Sequence, residues 1–145
     1  YNYRMTNIQA ALLYGQLEIQ PEIREKKRSV FDLYTQELKD VEGIRFQETE
    51  ANTEHAQWMF GLRFDQFNQQ KKRDLELFLF ENNIETRPMF YPMNQHAHLS
   101  QYSNGIEIAE RLNHQCLILP SFPELTRSQI LTVTRKIKGF MRTHS

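Results

Sequence analysis

The apolar residues at the start of the chain recur with the spacing of an α-helix. They stand three, four, three and four positions apart, at Met5, Ile8, Leu12, Gly15 and Ile19. This spacing places them in one stripe along a helix. Thr6 or Asn7 can cap the first turn, because either side chain accepts a hydrogen bond from a free backbone N–H group.

A second apolar stripe follows Pro21 and continues to Leu38. Its members are Ile23, Val30, Phe31, Tyr34 and Leu38. We therefore predict a long helix over residues 6–40, kinked or broken near Pro21 because proline lacks a backbone donor. The charged run 22–28, which includes Lys26 and Lys27, is either a phosphate-binding patch or a solvated face. Its mixed signs in a helical register favour the solvated face.

Strands are predicted after Gly43, which closes this helix. Residues 44–46 form a short strand, and a polar loop covers residues 48–55. The clearest strand follows, with Trp58, Phe60, Leu62 and Phe64 on one side of an alternating pattern. A single tryptophan can instead stack on a base or a sugar, but its apolar neighbours on the same side favour a place in the core.

The second half of the chain alternates helical patterns with short extended segments. We expect a helix over residues 69–82 with Leu75, Phe78 and Leu79 facing inward, ended by asparagines that tolerate a left-handed backbone. A short strand at 84–86 leads into a surface loop over 88–104, near a site.

The remaining elements are a short helix, a buried segment and a final helix. Ile106, Ala109 and Leu112 mark the short helix, and residues 116–119 are the buried segment. Thr126 and Gln129 have the spacing of a capping box. The final helix turns four residues inward, namely Ile130, Val133, Ile137 and Phe140.

The order of these elements indicates the fold class. Helix, strand, strand, helix, strand, helix, helix is typical of an α+β fold in which helices pack on a small, mainly antiparallel sheet. With 145 residues, the chain is long enough to form a single domain with its own core. The domain is expected to cover residues 1–145.

Composition narrows the possible partners. Eighteen Lys and Arg balance eighteen Asp and Glu, so the basic excess that is typical of nucleic-acid binders is missing. A single cysteine, Cys116, excludes an internal disulfide and fits a reducing compartment. No apolar stretch approaches the roughly 20 residues of a membrane span, and no leader opens the chain. We expect a cytoplasmic protein without a membrane partner, whose natural start lies upstream of Tyr1.

Three segments of the chain resemble a known family in order and spacing. They are Tyr1-Asn2-Tyr3-Arg4-Met5-Thr6-Asn7-Ile8-Gln9-Ala10-Ala11, then residues 83–93 (NIETRPMFYPM), then residues 117–126 (LILPSFPELT). Together they resemble the DegT-type family of PLP-dependent aminotransferases, which act on keto sugars attached to nucleotides. The segment from Arg87 to Pro92 is most similar to the perosamine-type 4-aminotransferases.

The resemblance implies that the chain is the C-terminal small domain of a fold-type I PLP transferase. In that family a lysine linked to PLP, a carboxylate facing the pyridine nitrogen and an aromatic residue over the ring belong to a large domain. That domain precedes the region matched here. The lysines of this chain lie on charged helical faces, and none has the apolar surroundings that depress a lysine pKa. We therefore expect no catalytic residue in this chain and no covalent PLP. Only the intact enzyme, a homodimer, would use glutamate as donor and a nucleotide sugar as substrate.

Asn2 and Arg4 are the candidate cofactor-binding residues. By resemblance, they reach across the dimer interface toward the PLP phosphate and the substrate of the neighbouring subunit. An amide and a guanidinium two residues apart can face one phosphate when the segment is extended. The alternative roles are helix capping for Asn2 and a surface ion pair for Arg4.

Arg87, Phe90, Tyr91, Asn94 and His96 are the candidate substrate-binding residues. An arginine next to a proline and followed by aromatic residues can receive a phosphate or the carboxylate of an amino donor. Relatives have histidine where this chain has Asn94, which removes a titrating group. His96, two residues later, would replace it if the loop shifted.

The histidine pair, the cysteine and the overall function each have an alternative interpretation. His96 and His98 have the spacing of half a metal site, but no partner motif accompanies them, so we expect no metal. Cys116 precedes an apolar run and is expected to be a buried small residue rather than a nucleophile. The rival function is a free-standing, non-enzymatic binding or assembly module that kept the small-domain fold.

Overall fold

The computed structural model describes residues 3–99, 101 and 105–143. Its α-helices are α1 (Asn7–Leu38), α2 (Gln69–Glu81), α3 (Glu107–Gln115) and α4 (Arg127–Thr143). Its strands are β1 (Ile44–Arg45), β2 (Phe60–Phe64), β3 (Arg87–Pro88) and β4 (Cys116–Leu119). A 3-10 turn, Met93–Gln95, lies in the segment between β3 and α3. The predicted α+β fold with a long first helix is confirmed.

The sheet is antiparallel throughout, with the strand order β1-β2-β4-β3. In β2, Phe60, Leu62 and Phe64 are buried and alternate with half-buried residues, as expected of a strand with one face on the core. In β4 all four residues are buried, because this strand lies between two others. The segment predicted only as buried is therefore a central strand.

The core lies between the sheet and the helices α1, α2 and α4. Fully buried residues come from each of these elements: Tyr34, Leu38, Leu62, Phe64, Leu75, Leu79, Leu117, Ile130 and Ile137. Tyr34 stacks on Phe60 with ring centroids 4.8 Å apart, and its hydroxyl donates to the Pro120 carbonyl over 2.9 Å. The predicted inner faces of α2 and α4 are thus confirmed.

Helix α1 has two halves with opposite surroundings. Its second half carries the buried residues Val30, Tyr34 and Leu38. All residues from 7 to 22, which we call the arm, are exposed. The helix runs through Pro21 without a break, because the exposed bond that proline removes can be replaced by water. Thr6 and Gln9 form a capping box at its start.

Two local predictions are wrong. Trp58 is 69% exposed, and the strand begins only at Phe60, after Gln57 adopts a positive φ of 52°. That turn breaks the alternation and directs Trp58 away from the core. The strand predicted at 84–86 lies at Arg87–Pro88 instead, because Asn83 ends α2 with a φ of 59° and the next residues complete the turn.

Alanine substitutions of Trp58 and Phe64 test which of the two side chains belongs to the core. Phe64→Ala removes a fully buried ring and should lower the free energy of unfolding by about 3–5 kcal/mol. Trp58→Ala should lower it by less than about 1 kcal/mol, because only a surface ring contact is lost. Urea unfolding followed by circular dichroism measures both. Equal losses would contradict the placement of Trp58.

Candidate functional site

A groove with a cavity volume of about 700 Å³ lies where β4 ends and α4 begins. Its wall includes Lys27 from α1, Trp58 from the segment before β2, Arg87 from β3, and Ser121 and Ser128 from either side of the turn into α4. Five separate parts of the chain meet here. The volume falls within the roughly 300–1,000 Å³ that small-molecule sites occupy.

Lys27 is the central residue of this wall. Its Nζ donates to the carbonyl of Trp58 over 2.6 Å and also to the carbonyl of Ser121. The ammonium also lies 5.5 Å from the centroid of the Phe31 ring, within the range of a cation–π contact. Burial lowers the pKa of Lys27, because the charged form loses water. The expectation that no lysine has such surroundings is wrong for this residue.

Arg87 lines the groove from β3, and Phe90, two residues after that strand, contacts the groove residue Trp58. Arg87 is paired with Ile118 of β4, and its side chain is exposed. Phe90 stacks on Trp58, with ring centroids 6.2 Å apart and an interplanar angle of 29°. Tyr91 is 64% exposed and follows Phe90 directly. Arg87 and Trp58 therefore line the groove together, and Phe90 reaches its edge through the contact with Trp58.

Asn113 fixes the backbone of this segment. Its Nδ2 donates to the carbonyls of Met89 and Phe90 over 2.9 and 3.1 Å. Its own carbonyl accepts from the buried Nζ of Lys72 over 2.7 Å. The backbone at Phe90 is thus fixed by hydrogen bonds from Asn113 of α3, which is itself bonded to Lys72 of α2.

Asn94 and His96 are not among the residues that line the groove. Asn94 is half-buried and donates from Nδ2 to the Glu110 carboxylate on α3 over 2.7 Å. His96 is exposed, with its ring centroid 6.0 Å from that of His98. If these two residues contact the substrate as predicted, they do so outside this groove.

Arg4 lies far from the groove in the same chain. It is exposed and lies two residues before Thr6, the N-cap of α1, whereas Lys27 lies 20 residues after the first residue of that helix. At 1.5 Å per residue this separation is roughly 30 Å. Asn2, its predicted partner, lies outside the described residues. Arg4 and Arg87 therefore cannot serve one ligand within a single chain.

PLP, the cofactor that the family resemblance implies, needs a phosphate ligand and a lysine amine. Arg4 offers an exposed guanidinium of the kind that binds a phosphate. Lys27 and Lys72 already donate to backbone carbonyls, so neither of these two amines is available for a covalent bond to the cofactor. The chemistry of Arg4 therefore suits a phosphate, whereas the surroundings of Lys27 and Lys72 do not suit a lysine that binds PLP covalently.

Other kinds of site find little support in the described part of the chain. Within it, no group of three or more His, Cys, Asp or Glu side chains could hold a metal ion. Cys116 is buried, and burial raises the pKa of its thiol, as expected of an unreactive cysteine. None of the helices described is long and apolar enough to cross a membrane.

Lys27 and Trp58 are the groove residues that the pattern analysis placed elsewhere. Lys27 was assigned to the solvated face by its charged neighbours. Its position four residues before Phe31 and seven before Tyr34 places it on the buried stripe, and this signal could have identified it. The exposure of Trp58 could not be predicted in this way, because the alternation of apolar and polar residues does not reveal the backbone turn at Gln57.

Comparisons with known proteins agree on one family. Residues 1–138 match the model of the DegT/DnrJ/EryC1/StrS aminotransferase family. Among curated proteins, the GDP-perosamine synthases of Escherichia coli O157:H7 and Vibrio cholerae are 31% and 32% identical over 97% of this chain. The chain spans only 37% and 38% of their lengths.

Solved structures share the fold at lower identity. PseC of Helicobacter pylori, an aminotransferase involved in the biosynthesis of pseudoaminic acid, has a TM-score of 0.85 at 19% identity. The match covers 99% of this chain and 39% of PseC. The sugar aminotransferase CalS13 of Micromonospora echinospora has a TM-score of 0.83 at 20% identity, covering 96% of this chain and 36% of CalS13.

Removing the Lys27 ammonium should loosen the groove. Lys27→Met leaves two carbonyls without their charged donor and should lower the free energy of unfolding by about 2 kcal/mol. Lys26→Met is the matched control, because Lys26 is exposed and forms a surface ion pair with Glu22; its urea midpoint should change little. A Lys27→Met protein with the wild-type midpoint would contradict the role assigned to this ammonium.

Proposed function

Because the chain belongs to the DegT/DnrJ/EryC1/StrS aminotransferase family, we propose that it is the C-terminal small domain of a PLP-dependent sugar aminotransferase. The intact enzyme transfers an amino group from glutamate to a keto-sugar nucleotide in the cytoplasm, in amino-sugar and polysaccharide biosynthesis. The observation that carries the proposal is the family match over residues 1–138. The coverage of about 37% of the GDP-perosamine synthase of Escherichia coli O157:H7 is the share expected of a small domain.

The chain contributes binding groups in two places. Arg4, with Asn2, supplies phosphate contacts at the start of α1. Arg87, with Phe90 and Tyr91, supplies a cation and aromatic surface beside the groove. When bound, PLP supplies the electron sink through which an amino group moves. The lysine that holds PLP belongs to the large domain, and this chain orients the ligands and shields them from water.

The two separate positions of these groups support the proposal of a homodimer. Arg4 and the groove lie roughly 30 Å apart along α1, so Arg4 serves a ligand held by a neighbouring subunit. The arm supports this arrangement. It exposes Ile8, Leu12, Leu13, Tyr14, Leu17 and Ile19. A projecting helix of about four turns with such residues is marginal in water, and the dimer covers it.

The assembly can be measured on the chain itself. Size-exclusion chromatography with light scattering should give twice the chain mass of 17.4 kDa. Leu12→Glu together with Leu17→Glu should give the monomer mass, because both side chains lie on the arm. Leu77→Glu is the control, since Leu77 is 53% exposed on α2 and should leave the dimer intact. A wild-type monomer would contradict the assembly.

A chimera tests the enzymatic role. This chain replaces the segment it matches in GDP-perosamine synthase of Vibrio cholerae, and glutamate-dependent formation of GDP-perosamine is measured by mass spectrometry. We expect a PLP-loaded, active chimera. Arg4→Ala should raise the Kd for PLP or the KM for the substrate by about tenfold without changing the melting temperature, because it removes one charged hydrogen-bonding group.

Two results would contradict this role. A folded, PLP-loaded chimera without activity, together with an isolated chain that dimerises, would favour the free-standing assembly module. Covalent PLP on the isolated chain, trapped with borohydride, would show that one of its own lysines is reactive and that the division of labour between the domains is wrong.

A further inference from the structure

Trp58 and Phe90 form an exposed aromatic pair at the edge of the groove. Trp58 is 69% exposed and Phe90 64% exposed, and their rings are close to parallel at 6.2 Å. Neither side chain belongs to the hydrophobic core. Two large rings held in water at a groove present an uncovered apolar surface, which is typical of a binding site.

Both residues of the pair are held by their backbones. The Trp58 carbonyl accepts from Lys27, and the Phe90 carbonyl accepts from Asn113. These bonds come from α1 and α3, which are parts of the packed domain. The pair is therefore preorganised, and a ligand that stacks on it does not first have to order the chain.

The groove beside the pair carries cationic groups. Arg87 and Lys27 line it, as does Ser128 in the first turn of α4. Glu85 is the acidic residue on its wall. Guanidinium groups bind phosphates through two parallel hydrogen bonds. The wall of the groove thus combines the Trp58 ring with the Arg87 guanidinium, which are groups suited to a flat ring and to an anion.

We propose that Trp58 and Phe90 are the stacking platform for the base of a nucleoside diphosphate, whose phosphates bind Arg87. The inference rests on the proposed function and identifies where the nucleotide part of the substrate binds. Aromatic side chains stack on every base, so the platform accepts a nucleotide without selecting its base. Arg87 then distinguishes a nucleotide from a nucleoside.

The chain contains its own reporter, because Trp58 is its only tryptophan. Tryptophan emission is followed while GDP, guanosine or inorganic diphosphate is added to the chain. N-acetyltryptophanamide corrects for absorption and collisional quenching. We expect saturable quenching by GDP, weaker binding of guanosine, and no saturable change with inorganic diphosphate.

Matched variants assign the signal to the platform. Phe90→Ala should raise the Kd for GDP about tenfold, as expected for the loss of one stacking ring. Phe80→Ala is the control, because Phe80 is similarly exposed, at 71%, but lies on α2, whereas Phe90 stacks on Trp58; its Kd should equal the wild-type value. Arg87→Gln should bring the affinity for GDP down to that for guanosine and leave the affinity for guanosine unchanged.

Three outcomes would overturn the platform. They are quenching by GDP no greater than that of the free tryptophan amide, an unchanged Kd in Phe90→Ala, and saturable binding of inorganic diphosphate as tight as that of GDP. The chimera separates this failure from that of the proposed function. An active chimera whose substrate KM does not change with Phe90→Ala overturns the platform alone. Saturable quenching by GDP in a chain whose chimera is inactive supports the platform and contradicts the enzymatic role.

Discussion

The ammonium of Lys27 is the contact on which the groove depends. It joins α1 to the carbonyl before β2 and to the carbonyl after β4, and these two backbones are neighbours through the pairing of Phe60 with Leu119. A partly buried charge is costly unless it is hydrogen-bonded. Two carbonyl acceptors and the Phe31 ring meet that requirement here. The same contacts hold Trp58 at the edge of the groove.

Helix α1 connects this groove to a second place on the protein. Its buried half is anchored by Tyr34, which stacks on Phe60 and donates to Pro120. Because an α-helix is stiff over a few turns, anchoring one half sets the direction of the arm. The position of Arg4 at the far end is therefore determined by packing in the core. Under the proposed function, this long helix would let one chain contribute to two ligand sites.

Much of the fold could be predicted from local patterns. The inner face of α4 and the capping box at Thr126 follow from spacing and side-chain chemistry alone, and both are present. The central place of β4 could not be predicted in this way, because a short apolar run is compatible with a buried helix or strand. The exposure of Trp58 depends on one backbone turn at Gln57, which the alternation of side chains does not reveal.

Only those site residues that stand close together in one segment of the sequence could be predicted. Arg87 and Phe90 were identified within one segment, and the structure places both beside the groove. Lys27 and Trp58 reach the same groove from sequence positions that are 31 residues apart, and only the tertiary fold brings them together.

The distance between Arg4 and Arg87 limits how a ligand can bind both residues. A ligand that needs both residues must lie between two chains, because one chain holds them roughly 30 Å apart. Association and ligand binding are then coupled, since a ligand that binds only the assembled form stabilises the assembly by mass action. In the proposed dimer, the exposed apolar arm would favour assembly before any ligand arrives. The arm would then be required for a complete site as well as for the stability of α1.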